Sequence, residues 1–343
     1  MTRLAALLGL ELPLLQAGMG AVAGPALCAQ VSRAGAGGTL ALYKEPPARA
    51  ARLVREVAAA TGGRPFGVNV VPEVTGAARC LEQLRAALPE LPRNGFVTVF
   101  GLPADDAARA VRAAGHPLVV QVGTPADAGT ALARGAAVLV LQGVEAGGHL
   151  LGGRPGDSLL AAVRARHPHA VLAVAGGIAT GRDLADAVAR GADGALAGTL
   201  FVPAAESAAH PEFKRRVVEA VAEDTVVTSL FEIGWPRRPH RVLRNSLTAA
   251  TERAPAAFIA TTRVDGRPYP VPRYSAAAPG AATTGRVEEM AMYCGRSCTR
   301  VTAAHPAAAT VARIRREYEE ARALHDGSHT IPPRVPPVPG ETT

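Results

Sequence analysis

Short apolar runs of four to six residues recur along the chain, and longer stretches of Ala and Leu mixed with Arg, Asp and Glu separate them. Runs of that length without polar alternation are the mark of strands buried on both faces of a parallel sheet. They predict eight strands: Leu12–Gln16, Gly38–Leu42, Phe66–Val71, Phe96–Phe100, Leu118–Val122, Val138–Gln142, Val171–Ala175 and Gly194–Ala197. The stretches between them carry helix start signals. Pro25 sits at the first turn of one, and Pro46-Pro47 opens the next. Pro103-Ala104-Asp105-Asp106 and Thr124-Pro125-Ala126-Asp127 put caps and carboxylates where the helix dipole favours them. Thr180-Gly181-Arg182-Asp183 is a cap with an acid three residues on, and Gly115, Gly135 and Gly191 each follow a last helical turn. Eight strands alternating with helices is the count of an α/β fold of the (β/α)8 TIM-barrel kind. A doubly wound open sheet is the rival, but it would carry Gly-x-Gly-x-x-Gly after its first strand, and this chain does not.

After about residue 250 the pattern changes. Thr251 to Thr284 is rich in Pro, Arg and small residues and reads as an ordered, irregular arm. Val287 to Val301 and Pro306 to Leu324 have helical periodicity and predict a C-terminal helical subdomain, with Arg315–Glu319 and Arg316–Glu320 spaced as pairs on a solvated face. The division expected is therefore 1–250 as barrel, 251–325 as irregular arm and helical segment, and 326–343 as a Pro-rich disordered tail.

The chain is 343 residues long, 48% hydrophobic but only 4% aromatic, so Ala, Val and Leu must build its core. Its net charge of +8 comes almost wholly from Arg, with Lys44 and Lys214 the only lysines. No basic block with interleaved aromatics appears, which argues against nucleic acid and leaves the charge as a field that favours an anionic cofactor or substrate. Met1 to Leu15 has the look of a signal peptide, but Glu11 and Pro13 interrupt its leucine run. No stretch reaches the roughly 18 apolar residues of a membrane span. The expectation is a soluble, cytoplasmic protein. Cys28, Cys80, Cys294 and Cys298 lack zinc spacing and read as small apolar residues. His167-Pro168-His169 precedes a strand, on the face of a barrel opposite the functional one, and reads as a surface turn.

Barrel chemistry sits on the loops after the strands. Those loops here are Ala17-Gly18-Met19-Gly20, Asn69, Gly101, Gln121-Val122-Gly123, Gln142 to His149, Gly176-Gly177-Ile178 and Gly198-Thr199, each with a glycine or an amide. Bare backbone at Gly176, Gly177 and Gly198, with the Thr199 hydroxyl, suits a phosphate in the usual barrel position. After Val138–Gln142 come Gly143-Val144-Glu145-Ala146-Gly147-Gly148-His149, a turn bare enough for a flat ring and ending in a titratable base.

Taken in order, Gln16-Ala17-Gly18-Met19-Gly20, Arg64-Pro65-Phe66-Gly67-Val68-Asn69, Glu145-Ala146-Gly147-Gly148-His149, Ala175-Gly176-Gly177-Ile178 and Gly194-Ala195-Leu196-Ala197-Gly198-Thr199 resemble the nitronate monooxygenase (2-nitropropane dioxygenase) family. Gly234-Trp235-Pro236 and Pro239-His240-Arg241-Val242-Leu243-Arg244-Asn245 resemble a segment after the barrel in its nitronate-oxidising branch. The resemblance spans about residues 10 to 322 and implies an FMN-dependent barrel with a helical subdomain over the flavin. It implies FMN binding by Met19, Asn69, Gln142, Gly147, Gly148, Gly176, Gly177, Leu196, Ala197, Gly198 and Thr199, and His149 as the catalytic base. Asn69 and Gln142 would meet the polar edge of the ring. The implied reaction is oxidation of a small, anionic nitronate or related carbanion by molecular oxygen, giving a carbonyl compound and nitrite. An NAD(P)H-dependent enoyl-thioester or quinone reductase is the alternative within the superfamily, and a non-catalytic flavin-binding pathway protein the alternative outside enzymes. Two departures stand out: Gly18 where the family more often has Pro, and Leu150-Leu151 after the histidine, expected to narrow or dry the pocket. His240, Arg241 and Arg244 suit either packing of a crossover or contact with an anionic substrate. The natural substrate and the oligomeric state, a homodimer included, stay open.

Overall fold

Valine- and leucine-rich runs with side chains on alternate faces close here into a parallel barrel. In the computed structural model, which describes residues 1–264 and 267–327, the barrel strands are β1 (Leu14–Gln16), β2 (Gly38–Ala41), β3 (Phe66–Val70), β4 (Phe96–Phe100), β5 (Leu118–Val122), β6 (Val138–Gln142), β7 (Leu172–Ala175) and β8 (Gly194–Ala197). All eight lie where the apolar runs put them. They pair in parallel in the order β1-β8-β7-β6-β5-β4-β3-β2. The ring shuts at a Leu15–Gly37 bridge, where the Gln16 amide donates to Gly37 O at 2.8 Å and the Gly37 amide to Leu14 O at 2.8 Å. Closure excludes the open doubly wound sheet.

Outward residues such as Val68, Val97, Val120, Leu139 and Leu172 pack under the helical ring. Inward residues Leu15, Phe96, Val119, Val138, Val140, Ala173 and Leu196 fill the barrel. Helix Arg3–Leu8 sends Leu4, Ala5 and Leu8 into the same cluster. The leucine run that looked like a leader therefore lies in the core. The filling alternates large with small: a side chain on Gly67 would occupy the space of the Phe96 ring. The helix signals also hold, with Thr180 and Asp183 forming a capping box at the start of Gly181–Ala189.

The C-terminal part differs from expectation in three ways. Helix Ala307–Gly327 does not cover the mouth; it packs on the barrel's flank against helices Gly181–Ala189 and Pro25–Arg33, completing the outer ring. Its arginines follow that placement, with Arg315 reaching Glu11 at 2.8 Å and Arg313 pairing with Glu317 at 2.8 Å instead of the spacings read from the sequence. The irregular arm contains an antiparallel hairpin, Phe258–Val264 with Arg267–Pro272. Pro268, Pro270 and Pro272 fall on its outer edge strand, where no ladder N–H is required. Val287 to Val301 forms only two short turns, Val287–Glu289 and Arg296–Arg300. Between them the chain stays extended because it bonds to strand His240–Leu243: the Leu243 amide donates to Met292 O at 2.9 Å and the Cys294 amide to Arg241 O at 3.3 Å. The expected tail falls outside the described residues from 328 onward.

All four cysteines are free and buried. Among the described residues no group of His, Cys, Asp and Glu could hold a metal ion, and no helix is long and apolar enough to cross a membrane.

At the barrel seam the Gln16 side chain, fully buried, accepts from the Thr39 amide at 3.0 Å and donates to Ala17 O. Gln16→Ala leaves a buried N–H without an acceptor, and we expect about 1–3 kcal/mol of lost stability, read as a lower denaturant midpoint at unchanged slope.

Candidate functional site

The inward residues at the upper ends of the strands do not fill the barrel, and a cavity of about 370 Å³ opens there, within the range of small-molecule pockets. Asn69 from β3, Gln142 from β6, Leu196 and Ala197 from β8 and the loops after β1, β6, β7 and β8 line it. All twelve residues singled out from the sequence, namely Met19, Asn69, Gln142, Gly147, Gly148, His149, Gly176, Gly177, Leu196, Ala197, Gly198 and Thr199, face this one space.

The loop after β6 is held on every side. Gln142 Nε2 donates to His149 O at 2.9 Å and Gln142 Oε1 accepts from the Leu151 amide at 2.8 Å. Both ends of the Gln142 amide thus bind the loop backbone, so it orients the histidine segment. Gly148–His149 forms a two-residue strand that pairs antiparallel with His240–Leu243, His149 opposite His240 and Gly148 opposite Arg241. Gly147 crosses Gly295 so closely that a Cβ on it would stand 2.5 Å from the Gly295 amide nitrogen. The Gly295 amide in turn donates to Thr199 Oγ1 at 2.9 Å, tying the loop after β8 to the same crossing.

Gly176 and Gly177 lie in the left-handed region, with φ of 108° and 79°. A Cβ on Gly177 would meet nothing within 4 Å, whereas one on Gly176 would press on the Ala146 backbone. Arg300 holds this loop from outside, donating to Gly177 O at 2.5 Å and to Asp183 at 3.1 Å. Across the cavity Asn69 Nδ2 donates to Thr98 Oγ1 at 3.0 Å, and its buried Oδ1 has no partner. Gly18 is bare because any side chain there would overlap the Asn69 side chain.

His149 is 6% exposed, and its Nε2 is buried without a hydrogen-bond partner. Burial, with the positive character of His240 and Arg238 nearby, pushes its pKa down from 6.5 to about 2, so the imidazole is neutral throughout the physiological range. Its ring stacks on Trp235 with centroids 3.7 Å apart and planes 16° from parallel. Trp235 and Tyr293 line the cavity too, and the sequence motifs gave neither a role in the site. Gly234-Trp235-Pro236 stood out as a motif, but nothing local shows what a distant indole touches.

The segment from Arg238 to Arg244 after the barrel serves packing. His240 is fully buried and satisfied, its Nδ1 against Arg238 O at 2.9 Å and its Nε2 accepting from the Phe231 amide at 3.3 Å. Arg241 binds Val144 O at 3.1 and 2.9 Å and Thr225 Oγ1 at 3.0 Å, and Arg244 lies outside the cavity. Arg238 joins Glu73 at 2.8 Å and Leu150 O at 3.3 Å, bridging the loops after β3 and β6. Leu150 and Leu151 also fail to reach the cavity, so they do not narrow it; Leu151 lies against Gly123. Among the described lining residues Arg263, on the hairpin, is the only one that carries a full charge at neutral pH.

Comparison with known proteins agrees with this geometry. The nitronate monooxygenase family model matches residues 1–317. A nitronate monooxygenase of Pseudomonas aeruginosa is 32% identical over 267 residues, covering 66% of this chain and 76% of its own. A (3aS,4S,5R,7aS)-5-hydroxy-7a-methyl-1-oxo-octahydro-1H-indene-4-carboxyl-CoA dehydrogenase of Mycobacterium tuberculosis is 33% identical over 279 residues, covering 78% of this chain and 73% of its own. Among solved structures, the nitroalkane oxidase of Streptomyces ansochromogenes superposes with a TM-score of 0.72 at 28% identity, over 94% of this chain and 99% of the other. With a closed (β/α)8 barrel, one cavity at the strand ends and a family match over nearly the whole chain, this protein belongs to the nitronate monooxygenase family of flavin-dependent oxidoreductases.

Proposed function

We propose that the cavity binds FMN and that the protein oxidises a small nitronate or related carbanion with molecular oxygen, giving a carbonyl compound and nitrite, with His149 as the base. The observation that carries this reading is a neutral imidazole, buried and unpartnered at Nε2, in the wall of a cavity bordered by the bare backbone of the glycine loops. The residues fit a flavin. The left-handed Gly176-Gly177 turn with Gly198 and the Thr199 hydroxyl would hold the phosphate, and Gly147 and Gly148 would let the flat ring lie on the loop. Asn69 Oδ1 is a vacant acceptor for a ring N–H, Met19, Leu196 and Ala197 give apolar contact, and Gln142 acts through the loop.

When bound, FMN supplies a two-electron acceptor that oxygen reoxidises. His149, unprotonated, is in the form that takes the α-proton of the neutral nitroalkane, leaving the electron pair on the carbon and nitro group as the nitronate that is then oxidised. A negative charge placed against the ring raises its hold on that proton, so an anionic partner improves the base. The wall of Trp235, Phe100 and Tyr43 keeps this step dry. Arg263 at the hairpin side favours an anion.

A second reading is turnover of an acyl thioester with a nicotinamide as the redox partner. It is favoured by the Mycobacterium tuberculosis relative, whose name makes it a dehydrogenase of a carboxyl-CoA compound.

His149→Asn should lower turnover of the neutral nitroalkane by about 10²–10⁴-fold while the protein stays yellow, since the imidazole takes the α-proton and the backbone holds the flavin. Flavin content is read from absorbance, and loss of flavin instead of turnover would make His149 a structural residue. The same group sets a pH dependence. In the unfolded chain His149 takes a proton below about pH 6.5, and in the folded chain it does not until about 2. Its contribution to stability is complete above 6.5 and falls by about 1.4 kcal/mol per pH unit as pH drops through that window. Denaturation of the flavin-free protein at pH 5 and pH 7 should therefore show a larger acid loss in the wild type than in His149→Asn.

A further inference from the structure

We propose that Trp235 is a positioning residue for the reaction, the flat platform that fixes the plane of the His149 imidazole and shuts water away from it; the proposal rests on His149 being the base. Three rings surround the imidazole, and only one lies parallel to it. Trp235 is stacked at 3.7 Å and 16°, whereas His240 and Tyr293, both at 5.1 Å, are tilted by 56° and 46°. The indole is itself held from two further sides. Phe100 at the end of β4 meets it edge-on at 5.4 Å and 83°, and Tyr43 after β2 stacks at 6.2 Å and 25°.

Two further features show that the indole is placed for its face. Trp235 Nε1 is buried with no partner, although a buried indole N–H ordinarily finds one. Backbone strain also brackets the stack. Lys44, next to Tyr43, and Arg237, two residues after Trp235, are non-glycine residues in the left-handed region, with φ of 57° and 59°. Such conformations persist only where the surroundings impose them.

The other groups facing His149 cannot take over this task. On strand His240–Leu243, His240 is committed to Arg238 O and the Phe231 amide. Arg238 is committed to Glu73 and Leu150 O. The Tyr293 hydroxyl donates to Ala276 O at 2.7 Å, and Gln142 of β6 holds the His149 backbone and not its ring. None of them covers the imidazole face. Removing the indole would thus open that face to water and let the ring rotate, with no new charge placed beside it.

The test compares Trp235→Leu with Trp235→Phe in the flavin-loaded protein, and reads the histidine directly in the flavin-free protein. With leucine, kcat for the neutral nitroalkane should fall about tenfold or more, with KM and flavin content within about twofold of wild type; phenylalanine, which keeps a flat face, should recover most of that loss. In the flavin-free protein the imidazole C2–H resonance lost in His149→Asn identifies His149. It should not titrate between pH 5 and 8 in the wild type or with phenylalanine, and should titrate within that window with leucine. If leucine prevents folding, Trp235→Met, of similar bulk without a flat face, carries the same expectations. Wild-type kcat with an untitrating His149 in the leucine or methionine variant would overturn the proposal, as would phenylalanine doing as badly as leucine. The resonance needs no substrate, so its result stands even if the nitronate reading fails.

Discussion

The site depends on one constraint: the loop from Gly143 to His149 must hold a single path across the barrel mouth. A glycine-rich turn has many conformations available, and this one is fixed by bonds to its backbone. The Gln142 amide takes His149 O and the Leu151 amide, strand His240–Leu243 pairs with Gly148–His149, and Gly147 rests on Gly295. The chain that follows the barrel exists in good part to make these contacts. Trp235, Ala276 to Ala278, Tyr293 and Gly295 therefore wall the site, and the crossing of Gly147 over Gly295 tolerates no bulk at either.

The same packing decides the electrostatics. This basic chain spends its arginines near the site on carbonyls and carboxylates, Arg241 on Val144 O, Arg300 on Gly177 O and Asp183, and Arg238 on Glu73. What remains in the cavity wall, Arg263 on the hairpin apart, is uncharged among the described residues: apolar side chains, a few amides and hydroxyls, and a neutral imidazole. Low polarity around that ring strengthens any charge that forms beside it, and aromatic neighbours supply the enclosure without adding charge.

How much of this was legible follows from the range of the interactions. The eight strands and most helix starts could be read because Val/Leu runs, Pro at first turns and the Thr180 cap act within a few residues. The barrel's geometry then placed Asn69, His149 and the glycines of the loops after β7 and β8 together, since all lie at strand ends. What escaped depends on partners far along the chain. Gln142 read as a cavity residue and lines it, but its amide also holds the loop backbone at His149 O and Leu151, which the sequence did not show. The stack on Trp235 joins residues 86 positions apart in sequence, as the numbers 149 and 235 show. The prolines of Arg267–Pro272 hid a strand because an edge position excuses them, and the apolar pattern of Val287 to Val301 gave way to pairing with His240–Leu243. Helix Ala307–Gly327 was read in sequence, but its seat on the barrel flank is a tertiary fact.

The central claim is that this cavity takes electrons from a carbanion and needs no reduced nicotinamide. The most direct measurement is anaerobic mixing of the flavin-loaded protein with a nitronate in one experiment and with NADH or NADPH in another, following flavin absorbance. The account expects rapid bleaching by the nitronate and an oxidised spectrum that persists with the nicotinamides. Rapid bleaching by NADH or NADPH, with none by the nitronate, would contradict it and make the protein a reductase.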